Sequence, residues 1–128
     1  MANVIVADDE TLLRWALGQR LSRDGHVVTE AVDGAAALDL LAVVSPPTVV
    51  VLDVRLPDMS GLAVLEEIGR RRPDAAVVMM TAYWAAGALE QARRLGARAL
   101  LAKPLDLDQV AAAVDEAFHT PLRGDARC

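Results

Sequence analysis

A single cysteine, Cys128, stands at the last position of the 128-residue chain. With no second thiol there is no internal disulfide framework, and no Cys-x-x-Cys or Cys/His spacing exists that would hold zinc. A reducing compartment is the natural reading. Aromatic residues are equally scarce at 3 %, so the core must be built from Val, Leu, Ile and many Ala, a composition that suits helices packed closely on a sheet. Positive charge is in deficit: 13 Lys and Arg face 18 Asp and Glu, for a net charge of −5. Proteins that grip nucleic acid do so with basic faces, so direct nucleic-acid binding by this chain is not expected. No apolar run is long enough to span a bilayer. No basic stretch and apolar leader precede the first strand-like run, and the expectation is a cytoplasmic protein with no membrane partner.

Apolar residues are what the chain has in plenty, 54 % of the total. That is ample for one packed domain at this length. Short apolar runs at 4–7, 27–30, 49–52, 76–80 and 99–102 read as strands. Val49, Val50, Val51 and Leu52 are apolar on both faces, as in a parallel sheet covered by helices on both sides. Between the runs the apolar period changes to that of helices. Leu12, Leu13, Ala16, Leu17 and Leu21 form one arc, with Trp15 at its margin. A second helix is expected over 36–44, and a third after Gly61 through Leu62, Leu65 and Ile68. A fourth runs from about Trp84 to Leu95, weakened by Gly87 within it and closed by Gly96. A fifth opens at Asp106 and buries Leu107, Val110, Ala111, Val114 and Phe118. Alternating strands and helices predict a doubly wound α/β fold, five parallel strands in the flavodoxin-like order 2-1-3-4-5 with five helices. The polar end, residues 120–128, reads as a tail or linker beyond a domain at 1–119. His26 and His119 have no metal spacing and read as surface or turn residues.

In such a sheet, ligands bind at the carboxyl ends of the strands. The first strand-like run ends in Asp8-Asp9-Glu10, the third in Asp53, the fourth in Thr81 and the fifth in Lys103-Pro104. Clustered carboxylates repel one another and raise each other's pKa. A hard cation relieves this, and Mg²⁺ takes few protein carboxylates, keeps waters and accepts phosphate oxygens. A carboxylate can also act as a nucleophile and become an aspartyl phosphate. Lys103 can hold a phosphate oxygen as a point charge, and Thr81 can donate its hydroxyl to another. The set suits phosphoryl transfer onto Asp53. Each residue alone has an ordinary explanation: acids favour helix N-termini, Thr caps helices and Lys-Pro is common in loops. Their joint placement at one sheet edge is what carries the chemistry.

The segments VIVADDE, VVVLDVRLPDMSGLAVLEEI, VVMMTAY and ARRLGARALLAKPLD occur in this order. Together they resemble the receiver domain of bacterial two-component response regulators, over residues 3–118. LLRWAL in the first helix is similar to receivers of the nitrogen-regulation, enhancer-binding type. The resemblance implies that Asp53 is the phosphoacceptor and that Asp8 and Asp9 organise Mg²⁺, Asp9 directly and Asp8 through water. It further implies that Asp53 and the backbone carbonyl of Arg55 complete the metal's protein ligands, and that Thr81 and Lys103 contact the phosphoryl group. Lys103-Pro104 would be cis. The implied partners are a histidine kinase, an output domain or target protein acting in transcription, and a second copy bound through the helix 4–strand 5–helix 5 surface. The protein would be a switch that assists its own phosphorylation and dephosphorylation, not an enzyme for other substrates.

One departure concerns the relay. Receivers commonly carry an aromatic residue three positions before the lysine, and here that position is Leu100. Tyr83 and Arg55 could flank the phosphoryl group and slow attack by water. Three rivals compete. A phosphatase using an aspartyl phosphate would want an acid where Arg55 stands. A flavodoxin-like cofactor binder would want a Gly- and hydroxyl-rich loop where Asp8-Asp9-Glu10 stands. A degenerate receiver acting as a phosphorylation-independent interaction module would not need the acids, Thr81 and Lys103.

Overall fold

The structure, a computed structural model, describes residues 1–82 and 85–119. Strands β1 (Asn3–Ala7), β2 (Val27–Ala31), β3 (Thr48–Asp53), β4 (Ala76–Thr81) and β5 (Ala99–Ala102) alternate with helices α1 (Thr11–Arg23), α2 (Gly34–Leu41), α3 (Gly61–Arg71), α4 (Ala88–Arg94) and α5 (Leu107–His119). All strand pairs are parallel, in the order β2-β1-β3-β4-β5. This is the expected doubly wound sheet.

Every residue of β3 and β4 is buried, which is why these segments show no polar alternation. Successive side chains point to opposite faces. Val4, Val6, Val49, Val51, Val78 and Met80 accordingly meet Leu17 and Leu21 of α1 and Val110 and Val114 of α5. Ile5, Ala7, Val50, Leu52, Val77 and Met79 meet Ala37 and Leu41 of α2, Val64, Leu65 and Ile68 of α3, and Ala92 of α4. Two apolar layers thus sandwich the sheet. Leu100 packs against the second layer, the one that contains Ala92 of α4.

Four expectations need correction. Leu12 is not on the buried arc of α1 and is 81 % exposed. The buried line is Arg14, Leu17 and Leu21, and a residue two positions before Arg14 lies some 200° round the helix. α4 begins at Ala88, and Gly87 is its N-cap at φ +81°, not an interior residue. That left-handed conformation is one glycine adopts without strain. α2 runs over Gly34–Leu41, not 36–44. His26 is buried, and its Nδ1 accepts the Ala2 N–H at 3.0 Å. Asp106 does open α5, with its carboxylate accepting the Asp108 N–H at 2.9 Å.

Candidate functional site

Strand register assembles the site. Ala7 pairs with Leu52 and Asp53 with Met80, while Thr81 pairs with Ala102. The residues one step further along β1, β4 and β5, or ending them, are therefore Asp8, Thr81 and Lys103, in a row with Asp53. The Lys103 N–H donates to the Thr81 carbonyl at 2.8 Å and carries the ladder past the last pair. The Lys103-Pro104 peptide is cis, as expected.

The side chains converge on Lys103. Its Nζ donates to Asp8 Oδ2 at 2.8 Å, Asp53 Oδ2 at 2.8 Å and Glu10 Oε1 at 2.9 Å. Burial alone would lower the lysine pKa, but the bonds to Asp53, Asp8 and Glu10 together hold it above the ordinary value. Lys103 is a fixed positive charge at any working pH. Burial pushes the Asp8 carboxyl above its usual range, against the opposing bonds from Lys103 and the Glu10 N–H. The Glu10 N–H reaches Asp8 Oδ1 at 2.7 Å, so both oxygens of Asp8 are engaged. Asp53 is equally well held. Its Oδ1 accepts the Arg55 N–H at 2.9 Å and its Oδ2 accepts Lys103.

One oxygen from each of Asp8, Asp9 and Asp53 lies within 4.8 Å of the others. Asp8 and Asp53 are buried and Asp9 is exposed, so the cluster opens to solvent on one side. An all-oxygen donor set of this charge fits a hard divalent cation. Lys103 balances only part of the carboxylate charge. Thr81 is buried at the adjacent strand end. Arg55 is exposed beside Asp53, and its neighbourhood in the following loop is fixed by a bridge to Ser60. Tyr83 and Trp84 lie outside the described residues.

Three residues support the site, and two of them, Arg14 and Asp58, have no signal in the sequence. Arg14 is buried in α1 and donates from Nη1 to the Asp8 carbonyl at 2.7 Å and from Nε to Glu30 at 3.2 Å. It ties the β1–α1 turn to β2. Asp58 accepts the N–H groups of Gly34 and Ala35 at 2.8 and 2.9 Å and so pins the β3–α3 loop to the start of α2. Gly61 donates to the Val54 carbonyl at 2.6 Å, and a Cβ there would collide with the backbone carbonyl of Asp53. Pro57 and Gly61 mark the loop in the sequence, but the long-range partners of Asp58 and Arg14 leave no local signal.

Fold and site together define a doubly wound α/β domain whose polar, acidic site sits at the carboxyl edge of the sheet. The family model of the response regulator receiver domain matches residues 4–115. The chain belongs to this family. It is 39 % identical over 115 residues to the DNA-binding transcriptional regulator NtrC of Escherichia coli K12, covering 90 % of this chain and 24 % of that protein. It is 29 % identical over 122 residues to sporulation initiation phosphotransferase F of Bacillus subtilis, covering 95 % of this chain and 96 % of that one. A CheY-like response regulator receiver domain from Methanospirillum hungatei superposes with a TM-score of 0.86 at 24 % identity, covering 91 % of this chain and 92 % of the other, a likeness of fold. The chain spans about a quarter of the length of the NtrC relatives it matches.

Proposed function

We propose that this chain is a phosphorylation-controlled receiver in which Asp53 accepts a phosphoryl group from a phosphohistidine of a partner histidine kinase. The observation that carries the reading is the buried Asp53 carboxylate, set between Lys103 and the Asp8–Asp9 pair. A carboxylate oxygen of Asp53 attacks phosphorus, the phosphorus–nitrogen bond breaks, and the imidazole leaves with the electron pair and takes up a proton from solvent. Asp8, Asp9, Asp53 and the Arg55 carbonyl would hold Mg²⁺, which when bound neutralises charge on the phosphoryl oxygens. Asp9, at the solvent side of the cluster, would be a direct ligand, and the buried Asp8 would act through water. Lys103 and the Thr81 hydroxyl take phosphoryl oxygens.

Receiver domains act as phosphoacceptor switches, and this chain would be one that assists its own phosphorylation and dephosphorylation. The switching element is α4, β5 and α5, whose surface would bind an output domain, a target protein or a second copy. Leu100 stands where receivers commonly carry an aromatic switch and packs on the apolar layer that contains Ala92 of α4, so coupling does not run by a rotating ring at that position. A named relative is a DNA-binding transcriptional regulator, which supports an output in transcription. DNA contact would lie with the output domain and not with this acidic one. Residues 1–119 would form the receiver; the expected tail or linker at 120–128 lies outside the described residues. Among the described residues no helix is long and apolar enough to cross a membrane, which is consistent with a cytoplasmic site of action.

The test is intact mass after incubation with acetyl phosphate. A gain of one phosphoryl group that requires Mg²⁺ and is absent in Asp53→Asn is expected. An equal gain in Asp53→Asn would overturn the assignment.

A further inference from the structure

We propose that Glu10 is a positioning residue that holds Lys103 before phosphorylation and surrenders it to the phosphoryl group. The inference rests on the reading of Asp53 as phosphoacceptor. An ammonium has three N–H donors and no more. All three are committed, to Asp8, Asp53 and Glu10. Lys103 can therefore contact a phosphoryl oxygen only by releasing one carboxylate.

The three partners differ in how easily they let go. Asp8 is fully buried, and its other oxygen is tied to the Glu10 N–H. Asp53 is the residue that receives the phosphoryl group, and its side chain is 7 % exposed. Glu10 is 62 % exposed. On release its carboxylate is rehydrated at once, while Asp8 would be left charged and dry. The Glu10 backbone stays fixed by its N–H bond to Asp8, so the change is a side-chain rotation.

The ordinary explanation for Glu10 is an acidic residue at the start of α1. It does occupy the N-cap position, yet its side chain makes no capping hydrogen bond there. The carboxylate is turned to Lys103 instead, 93 residues away in sequence. Glu10 thus acts as a competitor for the lysine, one that lowers the affinity of the unphosphorylated site for a phosphoryl-shaped anion.

The experiment is an NMR titration of the full chain with beryllium fluoride at saturating Mg²⁺, run for wild type, Glu10→Gln, Lys103→Met and the double variant. Glu10→Gln keeps the size of the side chain and removes its charge. Binding should tighten about three- to fivefold, the scale of an exposed ion pair. In the Lys103→Met background the same substitution should change affinity by less than about 1.5-fold, because the residue acts through Lys103. Unchanged affinity in Glu10→Gln, or equal tightening in both backgrounds from general loss of negative charge, would overturn the inference and leave the phosphoacceptor reading standing. A wild-type chain that binds no beryllium fluoride would overturn both.

Discussion

A methyl group at Gly61 would enter the space of the Asp53 carbonyl and the Val54 Cα. Neither atom can move without moving Asp53, the proposed phosphoacceptor. Gly61→Ala is expected to lower stability by about 1–3 kcal/mol and to slow labelling by acetyl phosphate in the fraction that stays folded. Urea denaturation and labelling rate measure the two effects. Normal rate in a stable variant would show that the loop yields without disturbing Asp53. Asp58 works at the same scale through charge. The N–H groups of Gly34 and Ala35 hold its carboxyl below the ordinary value of 3.8. A lowered folded-state pKa means that the stabilisation is present above 3.8 and is lost as pH falls through the folded value. Asp58→Asn should therefore unfold at lower urea than wild type at neutral pH, with the gap shrinking as pH falls below 3.8. A gap independent of pH would assign the effect to shape and not to charge.

Among the elements, α4 is the weakest by construction. It has seven residues, a left-handed glycine at its N-cap, and only Ala88 and Ala92 buried. Short helices with little buried surface open first. Hydrogen exchange should be faster in α4 than in α1, α3 or α5, and beryllium fluoride should change protection in α4 and β5 more than in β2. A uniform change across the sheet would contradict a localised switch. The end of α3 is built the opposite way. Arg72 reaches the carbonyls of Leu41 and Val44, the Thr48 hydroxyl and both oxygens of Asp74. Arg72→Met strips those groups of their donor and should cost about 2 kcal/mol, read as a lower urea midpoint. β1 to β4 are legible from apolar runs rich in β-branched residues and β5, Ala-Leu-Leu-Ala, from its apolar run alone, and each boundary falls within a residue or two of expectation. The helix starts were harder. α2 begins early because two carboxylates meet its first turn, Asp33 on the Ala36 N–H and Asp58 on Gly34 and Ala35. Asp58 comes from a distant loop. The burial of His26 has no local signal for the same reason, since its partner is the N–H of Ala2, 24 residues away.

Across the whole molecule the sheet divides the core into two layers that alternate residue by residue along β3. Val51 faces the α1–α5 layer and Leu52 the α2–α3–α4 layer. Leu52 is fully buried, and Leu52→Ala should cost about 2–5 kcal/mol. The site itself was largely legible at this scale, because strand ends in a doubly wound sheet must share an edge. Asp8, Asp9, Asp53 and Lys103 do come together there. The hold of Glu10 on Lys103 was not legible, since a third acid in a run of acids looks like a helix start until the lysine is seen against it. Phosphorylation should also change assembly. Sedimentation with beryllium fluoride and Mg²⁺ is expected to show association through α4, β5 and α5, and an unchanged monomer would direct the output to another partner.

The most direct measurement is borohydride trapping after labelling with acetyl phosphate and Mg²⁺. Hydride displaces phosphate from an acyl phosphate and reduces the acyl carbon to an alcohol, leaving homoserine in place of aspartate. Peptide sequencing by mass spectrometry should find homoserine at position 53 and aspartate at 8, 9 and 58. Homoserine elsewhere, or intact aspartate at 53 in a chain that has gained a phosphoryl group, would contradict the assignment of Asp53 as the phosphoacceptor.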